Sequence, residues 1–277
     1  MLTLTRKTDV AALGTILGVW AHPDDEAYLS GGLMTLARDA GSRVVCVTAT
    51  RGEHGTGDPR RWPPGRLAVR RTAELRDCLD ILGVGEHHWL GYQDGRCAAV
   101  PPSGAIARLG DLIDEIRPDT VVTFGPDGNT GHPDHRTVAR WTAAAVDWAA
   151  PAGTRLLQTA VTPEWANRWR AVNERFDVFL PGFPVTRPEP SLALRLTLDE
   201  DTLARKVRAL AAQATQTEAL IAAMGVDDYA GWVAEEAFTE AVPDSGAHPA
   251  CGRCWWDVTA ARWRCAGRRK PFAGYAA

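Results

Sequence analysis

Through its first 160 residues the chain alternates short apolar runs with longer stretches in which apolar residues recur at helical spacing. Residues 15–21 read as a strand, and residues 26–40 as a helix closed by Gly41. Residues 43–50 (Arg-Val-Val-Cys-Val-Thr-Ala-Thr) are almost continuously β-branched, the pattern of a strand covered on both faces. The Gly- and Pro-rich segment 51–65 must be a long loop. Leu67, Leu75, Leu79 and Leu82 mark a helix over 67–82 that stops at Gly83. A strand at 87–92, a helix at 106–116 ended by Pro118, a strand at 120–124, a helix at 135–148 and a strand at 156–161 follow. In the later half, residues 192–198 alternate as an edge strand, residues 203–224 read as one long amphipathic helix, and residues 232–241 as a short one. Strands alternating with helices mean βαβ units. The fold class expected is α/β: a Rossmann-like three-layer αβα sandwich with a mostly parallel sheet.

There is no internal repeat and no low-complexity segment. After Pro243 the periodicity fades while Gly, Cys, Trp and Arg rise, which divides the chain into a domain over 1–242 and an appendage over 243–277. With 45% hydrophobic and 23% charged residues the chain can bury a sizeable core. A net charge of −3 leaves no electrostatic footprint for nucleic acid or an anionic membrane, so the partner expected is a small molecule, with a homo-oligomer left open. No apolar run approaches the roughly 18 residues of a membrane-spanning helix. Near the N-terminus Arg6 and Lys7 are followed by Asp9 and by a run broken at Gly14 and Gly18. No signal peptide is expected there, and a cytoplasmic location is.

Two peptides carry the chemistry: Ala21-His22-Pro23-Asp24-Asp25-Glu26 and Gly131-His132-Pro133-Asp134-His135. Each follows a predicted strand, and open α/β sheets bind ligands outside the carboxyl ends of their strands. His22, Asp25 and His135 supply two imidazoles and a carboxylate, the three protein ligands with which a catalytic zinc keeps one position open. Fe2+ suits the same donors. Asp24 is placed to take a proton from water activated by the metal, as a general base. His132 can polarise the scissile carbonyl, stabilise the oxyanion or protonate the leaving amine. Asp134 can orient an imidazole from behind, and the two prolines stiffen the turns.

Other polar residues read more plainly. Cys46, Cys78 and Cys97 look like ordinary buried thiols, and His54, His87 and His88 like structural or solvated side chains. The tail holds His248-x2-Cys251-x2-Cys254 and then Cys265, a candidate structural metal site. A dinucleotide-binding module fails, because two carboxylates stand where the pyrophosphate turn should be. A serine hydrolase lacks its Gly-x-Ser-x-Gly elbow. Two histidines and a carboxylate also make the triad of non-haem iron oxygenases. That distant alternative usually sits on an all-β jelly roll, which the βα alternation opposes.

The two motifs resemble the signature motifs of the PIG-L/LmbE-like zinc-dependent N-deacetylase family. The similarity continues through residues 44–50 into Arg51-Gly52-Glu53, then Arg71-Thr72-Ala73-Glu74-Leu75 and Leu90-Gly91-Tyr92-Gln93-Asp94-Gly95. It goes on through Gly125-Pro126-Asp127-Gly128 and the late helix around 206–216, and covers roughly residues 14–240. The resemblance implies an LmbE-like fold, a bound zinc and removal of an acetyl group from an N-acetylamino sugar or its glycoside. It implies His22, Asp25 and His135 as metal ligands, Asp24 as the base and His132 as the transition-state stabiliser. Glu53, Arg71 and Asp94 fall where mycothiol-pathway members hold polar substrate groups. Thr130 stands where deacetylases of the mycothiol precursor have a tyrosine, and it cannot reach as far as a phenol. The alternative within the family is a mycothiol S-conjugate amidase, with the 51–65 loop lining a roomier groove.

Overall fold

The computed structural model describes residues 2–3, 10–241, 254–257 and 262–265. One sheet contains β1 (Leu2–Thr3), β2 (Ile16–Trp20), β3 (Val44–Thr50), β4 (Glu86–Tyr92), β5 (Thr120–Phe124), β6 (Arg155–Thr159), β7 (Leu194–Thr197) and β8 (Glu235–Glu240). Their spatial order is β1-β7-β8-β6-β5-β2-β3-β4. Every pairing is parallel except the two that β8 makes, with β6 and β7. The central strands β2, β3 and β5 are buried along their whole length, as β-branched runs covered on both faces should be. This mostly parallel sheet is the expected α/β class, and it is not the jelly roll that an oxygenase triad usually occupies.

The helices are α1 (Asp25–Asp39), α2 (Pro64–Leu82), α3 (Pro102–Ile116), α4 (Pro133–Ala149), α5 (Pro163–Arg168), α6 (Arg170–Arg175), α7 (Glu200–Ala212), α8 (Ala214–Met224) and α9 (Val226–Val233). α3 packs on α4, while α1, α2 and α7 pack together as a second group. Among the described residues no helix is long and apolar enough to cross a membrane.

Two expected elements differ. The single helix over 203–224 is two, α7 and α8, broken at Gln213, whose backbone leaves the helical region (ψ 48°). The Gln213 side chain is turned inward and its amide donates to Glu26 Oε1 at 2.6 Å. The short helix over 232–241 is instead the end of α9 followed by strand β8. β8 buries Glu236 and Phe238 on one face, and a charged residue facing inward disguises the strand alternation. The strand expected at the edge, β7, has the two residues of β1 outside it.

Glu236 is tolerated inside because Lys206, on α7, sits 2.7 Å away, with both side chains fully buried. Glu236 also accepts from the amides of Gly32 and Leu33, in the middle of α1, at 2.7 and 2.9 Å. Lys206 donates to the carbonyl of Tyr28, the i−4 partner of Gly32, at 2.9 Å. The ion pair is thus spliced into the backbone ladder of α1, and it ties the helix that begins at Asp25 to α7 and β8.

In the tail, β9 (Cys254–Asp257) and β10 (Arg262–Cys265) form an antiparallel pair in which Cys254 lies opposite Cys265. His248 and Cys251, the other members of the candidate tail site, lie outside the described residues.

Candidate active site

From β2 the chain steps outward to β3 and β4, then returns to β5 on the other side of β2. The carboxyl ends of β2 and β5 therefore flank the point where the winding reverses, the usual ligand crevice of an open parallel sheet. His22 follows β2 by two residues, and His135 lies in the first turn of α4 after the 125–132 loop. Phe124, at the end of β5, stacks on the His135 ring at 4.3 Å and 15°. The two motifs are brought face to face.

His22 Nδ1 and His135 Nε2 are 3.1 Å apart. Asp25 closes on the pair, with Oδ1 3.3 Å from His135 Nε2 and Oδ2 3.6 Å from His22 Nδ1. The outer nitrogens are already engaged. His22 Nε2 lies 3.0 Å from Asp94 Oδ1 and 3.4 Å from Asp134 Oδ2. His135 Nδ1 lies 3.1 Å from the Gly128 carbonyl and 3.3 Å from Thr130 Oγ1. With their outer nitrogens held this way, both imidazoles would turn lone pairs toward one point once a cation displaced the second proton of His22, the arrangement in which a carboxylate behind a histidine fixes its tautomer for metal binding. His132 stands beside the pair, with one ring nitrogen each from His22, His132 and His135 lying within 4.8 Å of the others.

The electrostatics also fit a cation. Burial, opposed by the charge of Arg71 and helped by that of Asp25, pushes Asp24 up to about 7, and burial with the charge of Asp24 pushes Glu26 up to about 8. Asp25 is raised by burial too. Burial acts to lower His22, but its bonds to Asp134 and Asp94 and the charge of Asp25 raise it to about 10. Burial and the charges of His22 and His132 hold His135 well below the usual imidazole range. Three consecutive carboxyls that resist ionising, two buried and one half-buried, beside a histidine that keeps a proton, mark a place where positive charge is favoured.

Asp24 adopts φ 108°, outside the range that residues with a side chain favour. The buried Arg71 guanidinium donates to Asp24 Oδ2 at 3.2 Å, to the Pro23 carbonyl and to the Gly52 carbonyl at 2.8 Å. A Cβ at Gly52 or Gly55 would collide with that guanidinium, so the glycines let the loop close around it. The amide of Asp24 donates to Glu26 Oε2 at 3.0 Å.

His132 caps α4: its Nδ1 accepts from the Asp134 amide at 3.2 Å, which puts the ring proton on Nε2. Burial and the charge of His22 lower its pKa, so the ring is neutral. Asp134 is fully buried and accepts from the amides of Gly95 and Cys97 at 2.7 and 3.1 Å; the imidazole it meets is that of His22, across the site. Glu53 does not line the cavity. Its Oε1 takes the Asp94 amide at 3.0 Å and braces the turn that presents Asp94 to His22. Thr130 lines the cavity next to His135. The sequence reading missed His54, which lines the cavity and whose amide donates to Asp94 Oδ2 at 2.9 Å. The glycines on either side of it were the available signal. Cys46, Cys78 and Cys97 are buried free thiols.

The family model of PIG-L, GlcNAc-PI de-N-acetylase, matches residues 17–146, a span that holds both motifs and the Asp94 turn. The 1D-myo-inositol 2-acetamido-2-deoxy-alpha-D-glucopyranoside deacetylase of Acidothermus cellulolyticus is 32% identical over 232 residues, 73% of this chain and 79% of that protein. The chain belongs to the PIG-L family. The enzyme of the same name from Kineococcus radiotolerans is 39% identical over 168 residues, which are 50% of this chain and 46% of that relative, about half its length. Among solved structures, the N,N'-diacetylchitobiose deacetylase of Pyrococcus horikoshii superposes with a TM-score of 0.60 at 20% identity, covering 82% of this chain and 83% of its own. The segments that carry β7, β8 and α7–α9 lie beyond the PIG-L match.

Proposed function

We propose that this chain hydrolyses the N-acetyl amide of an amino sugar or its glycoside, using a divalent metal held by His22, Asp25 and His135. The observation that carries this reading is the convergence of His22 Nδ1 and His135 Nε2 at 3.1 Å, each with its other nitrogen already bonded elsewhere. The relatives named as deacetylases of a GlcNAc-inositol glycoside support the substrate class. Zinc or iron(II) bound there supplies Lewis acidity and lowers the pKa of water to about 7.

The chain's own residues do the rest. Asp24, fixed by Arg71, accepts a proton from the attacking water and delivers it to the amine nitrogen as the C–N bond breaks. His132, neutral and protonated at Nε2, donates to the carbonyl oxygen as it gains charge. Asp94 and Asp134 hold the His22 ring in place. Thr130 stays beside His135 as a support, with the reach of a hydroxyethyl group rather than a phenol. The test is metal analysis of the purified chain together with amine release from N-acetylglucosamine glycosides. About one zinc or iron per chain with amine release supports the reading; bound metal without release from any of them overturns the substrate class.

A further inference from the structure

The cavity over the His22–His135 pair has a volume of about 510 Å³ and continues to a wall formed by Tyr28, Trp165, Val178, Phe179, Leu220 and Trp232. The rings form one continuous surface: Trp165 is centred 6.3 Å from Phe179 and 6.0 Å from Trp232, and Tyr28 lies 5.6 Å from Trp232.

The indole N–H groups of these rings are spent inside the protein, and the Tyr28 hydroxyl is half-spent. Trp165 Nε1 donates to the Trp232 carbonyl at 3.0 Å, and Trp232 Nε1 to Asn173 Oδ1 at 3.1 Å. The Tyr229 hydroxyl donates to that of Tyr28 at 2.9 Å. Charged neighbours are spent too. Arg195 is paired with Glu235 at 2.8 Å and Glu189 at 3.2 Å, and Glu236 holds Lys206 and two backbone amides. A hydroxylated group lying on the indole and aliphatic face of this wall would exchange bonds to water for few, the Tyr28 O–H and Thr159 Oγ1 being the groups left over, at a cost of roughly tenfold in affinity or more for each hydroxyl left unpaired. An apolar group would lose nothing and would bury area.

We propose that this wall receives an apolar substituent, alkyl or aryl, carried by the substrate. The inference rests on the reading that an N-acyl amino sugar is hydrolysed in the same cavity. The substituent enters either as the group on the anomeric oxygen or as an acyl chain on nitrogen.

Two substrate series separate these sources: N-acetylglucosaminides whose aglycone runs from methyl to hexyl, and methyl glucosaminides whose N-acyl group runs from acetyl to hexanoyl. Binding is read by tryptophan fluorescence or calorimetry on the metal-loaded protein, and turnover by amine release. Along one series affinity should rise about fourfold per added methylene over the first few carbons. Trp165→Ala should flatten that series, and Trp165→Phe should largely restore it. The wild-type series stands alone should the alanine variant fold poorly. Flat affinity along both series overturns the proposal, even if every member is hydrolysed. Rising affinity with no amine release from any member would leave the wall standing and refute the hydrolase reading instead.

Discussion

The Arg71 guanidinium holds Asp24 from two sides, bonding the carboxylate at 3.2 Å and the carbonyl of Pro23 just ahead of it. A residue with a side chain at φ 108° costs on the order of 1–3 kcal/mol and persists only when its surroundings over-determine it. Arg71 is that surrounding, and its guanidinium is turned to backbone and to Asp24.

Arg71→Met should therefore lower kcat by roughly 10- to 100-fold, because small misplacements of a reacting group are expensive. KM should move by less than about threefold. Steady-state kinetics on an N-acetylglucosaminide decides the point. A large rise in KM with kcat preserved would make Arg71 a substrate ligand instead.

His22 and Asp24 should separate cleanly. His22→Ala removes one of the two converging nitrogens, so both bound metal and turnover should be lost. Asp24→Asn leaves the His22, Asp25 and His135 donors in place and should retain metal while losing roughly 100- to 10,000-fold in turnover, the range of a general base. Elemental analysis beside the rate assay reads both. Retained turnover in Asp24→Asn would remove Asp24 as the base.

Stability of the metal-free protein should carry the signature of Asp24. Burial raises this carboxyl from 3.8 to about 7, against the opposing charge of Arg71. Between those values the folded chain holds a proton that the unfolded chain has released, so the contribution of this group is present at low pH and lost as pH rises through about 7. Melting temperatures of the metal-free wild type, taken relative to Asp24→Asn, should fall as pH rises from about 4 to 7. A difference that does not change with pH would contradict the assigned environment.

The Lys206–Glu236 pair should be costly to break. Removing one partner of a buried ion pair leaves an uncompensated charge and typically costs about 3–5 kcal/mol. Lys206→Met should approach that loss in chemical denaturation, since Glu236 would keep only the amides of Gly32 and Leu33 as partners. A change below about 1 kcal/mol would show that the pair does not secure α1.

Much of this was legible from the residues. The β-branched run of β3 gave a strand buried on both faces, the short apolar run of β5 gave another strand, and Gly83 gave the end of α2. The paired His/Asp peptides led to one crevice because each follows a central strand. What stayed hidden depends on partners distant in sequence. Glu236 reads as a surface charge until Lys206 is placed beside it, so β8 looked helical. Gln213 lies within continuous apolar periodicity, and only its bond to Glu26 accounts for the break between α7 and α8. Glu53 reads as a ligand for substrate, whereas it lies off the cavity and bonds the Asp94 amide; Arg71 lines the cavity and also bonds Asp24 and loop carbonyls, partners that the sequence could not show.

The most direct test of the account is amine release from methyl N-acetylglucosaminide by chelator-treated protein, before and after one equivalent of zinc is returned. Release that appears only on adding zinc, and is absent in His22→Ala under the same conditions, is the predicted result. Equal release with and without metal, or none after zinc is bound, would contradict it.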